Sequence, residues 1–477
     1  MKVIKNYLYN VSYQVFVLLV PFITIPYLAR VLGPQGVGIN SYTNSIIQFF
    51  ILMGSLGTNL YGNRQVAFVR DNKKKLSETF YEISLVRLIT FSISFLLFGV
   101  FMLLNNEFQV YYLAQAISIL AAMADIAWFF MGVENFAVTV LRNIVVKIST
   151  LILIFIFVKT SNDLLTYIFI VSLSLIVGNL TLFPDLKRYI YAPDFSNINI
   201  VKHIMPSLIL FVPQISTQIY VIINKTLLGI IDNVQVSGFF DQSDKIVKMI
   251  LAIVTATGTV IMPHVANAFA KGQNEKTKDL LYSSFSFVSL ISIPMMFGLA
   301  AIASEFVPLF FTSKFNSVIP VMMVESMVIV FIAWNNVIGT QYLFPTNQTK
   351  FYTRSVIYGI IVNLIMDVPL IMIFEAIGAA IATVLSEFAV TAYQLWYIRS
   401  QINYHRLFED SLKFFIAGIA MFIVVFFMNI MLKHSWIMII FEVFVGIFIY
   451  IIFLALFKTK MILKIKKLIL NHTFLGE

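Results

Sequence analysis

Apolar blocks long enough to cross a bilayer, about 20 residues each, follow one another along the whole 477-residue chain. Set against proline, glycine and charged breaks, they predict spans near 9–32, 37–61, 78–104, 109–132, 137–158, 164–184, 204–230, 236–266, 280–303, 319–344, 353–374, 376–398, 412–432 and 436–457. The blocks are continuously apolar and do not alternate, which excludes the strands of an outer-membrane barrel. A helix satisfies its own backbone groups in hydrocarbon. The pattern therefore predicts an all-α polytopic membrane protein.

No polar stretch is long enough for a separate soluble domain. The longest, 185–203, contains Pro193 and joins the sixth and seventh spans. Beyond it the chain starts again. Arg30-Val-Leu-Gly33 is echoed by Lys225-Thr-Leu-Leu-Gly229, Val37-Gly38 by Ser237-Gly238, and Ala67-Phe68 by Ala268-Phe269, at offsets between 195 and 201. So steady an offset predicts two homologous six-span halves of equal orientation, related by an axis along the membrane normal. The expected organisation is an N-terminal six-helix bundle over 1–190, a cytoplasmic linker over 191–203 and a C-terminal six-helix bundle over 204–400. Two additional helices and a basic tail follow over 401–477.

Composition agrees: the chain is 60% hydrophobic and 12% charged, with mean hydropathy +0.90, against about 25% charged in soluble proteins. The net charge of +10 would suit nucleic acid, but its placement argues otherwise. With the N-terminus inside, 25 of the 33 lysines and arginines fall on the cytoplasmic side. They include Lys2 and Lys5, the run from Arg64 to Lys75, and the tail lysines from Lys458 to Lys467. That asymmetry predicts cytoplasmic termini and an even number of spans. The charge then reads as an orientation and headgroup signal, membrane lipids are the expected partners, and nucleic acid is not one. The tail Lys458–Leu470 is expected to lie along the inner interface. Lys2 and Lys5 run into the first span without a small-residue cleavage site, which predicts a retained helix.

Cysteine is absent, and the five histidines lack paired spacing. Neither a thiolate metal site nor a cofactor is expected. There is no Gly-x-x-x-x-Gly-Lys-[Ser/Thr] phosphate loop, so ATP is not implied.

Polar groups inside spans are costly and mark pathways or partners. Ser41, Asn44, Gln48, Ser55 and Asn59 share one face of the second span, and Asp241, Lys245, Lys248, Thr255 and Thr259 are similarly spaced in the eighth. Gln14 and Arg30, then Gln214, Gln218 and Lys225, add polar groups to the first helix of each half. Such stripes line a cavity or glue helices together, and the two Asp–Lys pairs at i,i+4 bind cargo or neutralise each other. Arg30 and Lys225 face cargo or snorkel. Arg87 contacts cargo or pairs with Glu82 or Glu78. Asp125, Asp241, Glu325, Asp367 and Glu387 are candidates for ion coupling, with pairing to neighbours as the alternative. Pro21 and Pro213 recur in related places and act as bending points or static kinks.

The segment Pro26-Tyr-Leu-Ala-Arg-Val-Leu-Gly-Pro-Gln-Gly-Val-Gly38, the polar second span and Tyr61-Gly-Asn-Arg-Gln65 resemble the polysaccharide-transport branch of the MOP flippase superfamily, the Wzx-like oligosaccharide flippases. The resemblance runs the length of the chain. It implies two pseudo-symmetric bundles around a central cavity plus two C-terminal helices. It also implies flipping of a lipid-linked oligosaccharide of capsular, O-antigen or teichoic-acid type, by alternating access. The cargo would be an isoprenoid-pyrophosphate-linked oligosaccharide, with polymerase or ligase proteins of the same pathway as further partners. Cationic cavities in the family point to Arg30, Arg64 and Arg87, and to Lys225, Lys245 and Lys248, beside Asn44 and Gln48. The alternatives are an ion-coupled multidrug antiporter of the same superfamily and, further off, a membrane polymerase. A mixed eighth span and two extra spans disfavour the antiporter; short outer loops without paired carboxylates disfavour an enzyme.

Overall fold

The computed structural model describes residues 2–192, 198–432 and 435–460, without the side chains of residues 2–18, 136, 212–217 and 259–260. Pro193, the tail beyond residue 460, and the side chains of Gln14, Pro213 and Gln214 lie outside the described residues. Every predicted span falls on helical residues, although the second, fourth, sixth, eighth and tenth are each divided among two or more helices, and nine helical stretches among the described residues are long and apolar enough to cross a membrane.

The chain forms two compact units, Met1–Gly238 and Phe239–Glu477. The first contains α1 (Lys2–Ser55), α2 (Thr58–Val69), α3 (Lys73–Leu104), α4 (Gln109–Met123), α5 (Ala127–Gly132), α6 (Phe136–Phe157), α7 (Leu164–Leu180), α8 (Phe183–Leu186) and α9 (Val201–Ile231). α1 is two predicted spans joined at Gly33, whose φ of 66° and ψ of −179° break the helix. Pro34 follows, and a residue before proline is driven out of the helical region; glycine alone takes this positive φ without strain. The Leu-Gly-Pro stretch is therefore the joint between the first two spans. The second span ends at Ser55, short of the expected residue 61, because Leu56 and Gly57 both adopt positive φ. Asn72 starts α3 by accepting from the Lys75 backbone N–H at 3.1 Å.

α9 was expected to open the second bundle, but it packs on α1, α2 and α3 and so belongs to the first unit. Small residues allow the approach. A Cβ on Gly229 would lie 2.1 Å from the Tyr42 ring, and just beyond the end of α9 one on Gly38 would lie 2.2 Å from the Val234 carbonyl oxygen. Ser45 meets Thr226 at 2.8 Å. Gly238 packs against Gly38, and Gln235 donates to Gln35 at 2.6 Å.

The second unit begins within α10 (Val234–Thr255) and continues with α11 (Thr257–Ala270), α12 (Asn274–Phe310), α13 (Val318–Glu325), α14 (Val328–Asn335), a π-helical turn (Asn336–Leu343), α15 (Thr349–Ile398), α16 (Tyr404–Leu407), α17 (Ser411–Met431) and α18 (Trp436–Leu456). α15 folds back on itself at Glu375 (φ 52°, ψ −129°), at the predicted boundary between the eleventh and twelfth spans. The two C-terminal helices are not a separate body. α17 and α18 pack on each other and on α12, where Gly418 meets Phe297. Glu305 on α12 and Glu442 on α18 are 1% and 0% exposed, and Asn429 of α17 donates to both, at 3.1 and 3.3 Å.

Candidate substrate and coupling residues

In the first unit the polar stripe on α1 divides by function. Ser41 reaches the Ser237 carbonyl at 3.4 Å, Ser45 meets Thr226, and Ser55 bonds back to the Leu52 carbonyl. These residues are glue or local caps. Asn44 and Gln48 are half-buried, one helical turn apart, and no side-chain hydrogen bond ties them to the described residues. They are the part of the stripe that remains available to a solute.

The cations sort in the same way. Arg30 and Arg64 are exposed, with Arg64 standing 5.4 Å from the Phe68 ring centre. Lys225 is half-buried, and its backbone carbonyl accepts from Ser237. Arg87 differs: it is 3% exposed. Its Nη1 donates to Thr58 and Asn59 at 3.0 and 2.6 Å, its Nη2 to the Ala122 carbonyl and its Nε to the Met123 carbonyl. In this conformation Arg87 ties the start of α2 to the last turn of α4 and does not face solvent. Its sequence neighbour Glu82, one of its two expected partners, is engaged elsewhere, with Lys202 and His203. Asp125 accepts from the Ala127 N–H at 2.9 Å, so it caps the start of α5.

In the second unit, α10 carries two ion pairs on one face. Lys245 lies 2.5 Å from Asp241 and Lys248 lies 2.8 Å from Asp244. The lysine side chains are 40% and 49% exposed, the carboxylates 6% and 9%. Each pair is thus a buried acid beneath an exposed ammonium. Gln242 also donates to Asp241, at 3.2 Å. The remaining coupling candidates are deep: Glu325 on α13, and Asp367 and Glu387 on the two arms of α15, are 1%, 0% and 4% exposed. α13 packs on α15, and the arms of α15 are joined by Ser386 donating to the Gly359 carbonyl at 2.8 Å.

An apolar groove of about 960 Å³ runs beside α12, α17 and α18, lined by residues such as Leu290, Pro294, Gly298, Val425 and Ile447. No pattern in the sequence marks it, because any membrane helix has an apolar exterior. The sequence equally concealed the pairing of Glu82 with Lys202 and His203, which are 120 residues and more away.

Long apolar helices combined with polar and charged side chains at membrane depth define a multi-pass helical membrane protein. The profile of the family described as polysaccharide biosynthesis protein matches residues 3–269, and the chain belongs to that family. It is 23% identical over 401 residues, 83% of this chain and 96% of its relative, to a protein named as an O-antigen transporter of Escherichia coli strain K12. Its fold is similar to that of a lipid II flippase MurJ in an inward closed conformation. The TM-score is 0.75 at 18% identity, over 94% of this chain and 98% of the other. An inward-facing multidrug resistance MATE family transporter of the MOP superfamily gives a TM-score of 0.62 at 15% identity, over 80% and 94%. The polysaccharide-transport resemblance carried by residues 26–38 thus agrees with the family the chain belongs to, and the two solved structures share its fold.

Proposed function

We propose that this protein is a flippase that carries an isoprenoid-pyrophosphate-linked oligosaccharide across the cytoplasmic membrane by alternating access. The cargo moves from the inner leaflet to the outer, for a capsular, O-antigen or teichoic-acid-type polymer. The observation that carries the reading is the face of α10, where two ammonium groups stand exposed over buried carboxylates. A pyrophosphate cannot cross about 30 Å of hydrocarbon without replacement of its hydration shell. Lysine heads on flexible stems act as movable point charges for phosphate oxygens, while Asn44 and Gln48 offer donors and acceptors to sugar hydroxyls. The acids beneath the lysines keep the face near neutral, so a cargo anion competes with Asp241 and Asp244 for the same cations. Such a face favours exchange over tight retention, which suits a carrier. Arg30, Arg64 and Lys225 are further cargo contacts in this reading, and Glu325, Asp367 and Glu387 are the buried groups suited to a coupling cation. The groove beside α12 suits the isoprenoid tail, which needs no shielding from lipid. Both termini are cytoplasmic, and polymerase or ligase proteins consume the product.

The test replaces Lys245 and Lys248 together by glutamine in cells that depend on this protein for surface polymer. The expected result is loss of export, with lipid-linked intermediate accumulating inside and protein still inserted in the membrane at its normal level. Full export by the double variant would remove the cargo assignment from α10.

A further inference from the structure

A buried chain of hydrogen bonds fastens the start of α9 to α2 and α3, and the transport residues proposed above take no part in it. Tyr61 on α2 places its hydroxyl 2.7 Å from Nδ1 of His203. Across the ring, Nε2 lies 2.8 Å from Oε2 of Glu82 on α3. Oε1 of Glu82 accepts from the backbone N–H of Asn199 at 2.9 Å and from Lys202 Nζ at 2.8 Å. Tyr61, His203 and Glu82 are 4%, 4% and 1% exposed. One to two turns further along α9, the helix rests on the joint between α1 and α2. A Cβ on Gly57 would lie 2.5 Å from the Ser207 carbonyl oxygen and 2.8 Å from the Phe211 nitrogen.

The partners fix the protons. Nε2 faces a carboxylate and must carry hydrogen, which leaves Nδ1 a bare acceptor for the Tyr61 hydroxyl. Every polar atom of this chain is satisfied with the ring neutral. A second proton can enter only at Nδ1. The Tyr61 oxygen must then accept, and its hydrogen must find another acceptor inside a closed site. Glu82 would also face two cations, His203 and Lys202, in a place that disfavours surplus charge.

We propose that His203 is a proton-binding site that releases the first turns of α9 from α2 and α3 when it becomes charged. The charges acting on the ring are Glu82 from α3 and Lys202 from its own helix. Arg64 acts on Tyr61 from α2, and Glu78 lies one turn before Glu82. Released into water, the imidazole titrates near its ordinary value of about 6.5. The clamp is therefore at full strength above about pH 6.5 and weakens as pH falls below it, by up to about tenfold per pH unit. Because α9 also packs on α1, protons at the start of α9 gain control over a helix fastened at both ends.

The chain contains no cysteine, so single introduced thiols report cleanly. Ser207→Cys places a thiol at a position that is fully buried while the clamp is closed. Its reaction rate with a maleimide in full-length protein in nanodiscs is divided by that of Gln273→Cys, an exposed position, which removes the thiol's own pH dependence. Between about pH 7.5 and about pH 5.5 the ratio is expected to rise about tenfold. In a His203→Gln background, which keeps an amide donor for Glu82 but cannot titrate, it should stay flat. A flat ratio with His203 present, or a rise that survives His203→Gln, overturns the proposal. If Ser207→Cys does not fold, ring nitrogen NMR of the otherwise unaltered chain decides, with His203→Gln identifying the signal. Doubly protonated His203 is expected to appear as pH is lowered, together with loss of the Tyr61 hydrogen bond, and a doubly protonated ring that keeps that bond, or a ring still neutral at the lowest pH at which the protein stays folded, refutes the clamp. Neither readout measures transport, so failure of the clamp and failure of the export test are separate results.

Discussion

At the residue scale, the charged side chains divide into those that hold helices and those left facing outward. Arg87 belongs to the first group. Its guanidinium fills the space between α2 and α4, spends its donors on Thr58, Asn59 and the carbonyls of Ala122 and Met123, and stands 5.0 Å from the Phe91 ring centre. Those carbonyls lie at the end of α4, where the helix dipole favours a cation. Removing such a group strands several buried acceptors at once. Arg87→Gln is expected to destabilise the purified protein by about 3 kcal/mol, seen as a lowered unfolding temperature in detergent. Arg87→Lys should recover only part, since a point charge cannot reproduce the guanidinium fork. A cargo ligand would behave differently: Arg87→Gln would then abolish export and leave the unfolding temperature unchanged. The sequence showed Arg87 as an intramembrane cation, but its partners lie 28 to 36 residues away and no local spacing announces them. The α10 pairs were legible for the opposite reason, because i,i+4 neighbours on a helix meet whatever the tertiary structure.

At the element scale, glycines set where helices break and how closely they cross. The joint at Gly33 was readable from Gly-Pro punctuation, and the turn at Glu375 from the change between two apolar blocks. The break at Leu56 and Gly57 was not, because a left-handed leucine has no sequence signature and Leu60 and Tyr61 carry the apolar pattern beyond it. The assignment of α9 to the first unit was equally hidden. Hydropathy and repeat offset place it at the head of the second half, whereas small-residue contacts at Gly57 and Gly229 dock it onto α1, α2 and α3. The glycines give a sharp comparison. At Gly38 a methyl group would lie 2.2 Å from the Val234 carbonyl oxygen, a contact that only backbone movement relieves. At Gly99, inside α3, nothing lies within 4 Å. Gly38→Ala should therefore lower the unfolding temperature and impair export. Gly99→Ala should hold or raise stability, by up to about 1 kcal/mol from helix propensity. If the two variants melted together, close backbone approach would not be what Gly38 supplies.

At the scale of the whole molecule, the distribution of charge and the positions of the loops make one joint statement. The fourteen predicted spans all fall on helical segments, five of them interrupted by a break, and basic residues concentrate in alternate connections. An error of one span would have exchanged the sides of every later loop and scattered the lysines and arginines evenly. The proposed orientation therefore fixes loops that are far apart in sequence. Asn106 sits in an exposed turn between α3 and α4, and Gln273 in an exposed turn between α11 and α12. With cytoplasmic termini, the first faces outward and the second inward. The cysteine-free background makes this measurable in intact cells. An impermeant maleimide added outside should label Asn106→Cys at once and Gln273→Cys only after the membrane is opened. The reverse pattern would invert the molecule and with it the direction of export, since a flippase that takes cargo from the inner leaflet must present its basic side to the cytoplasm. Labelling of both positions from outside would instead show that a helix counted as a span does not cross, and would break the six-plus-six-plus-two arrangement between residues 106 and 273.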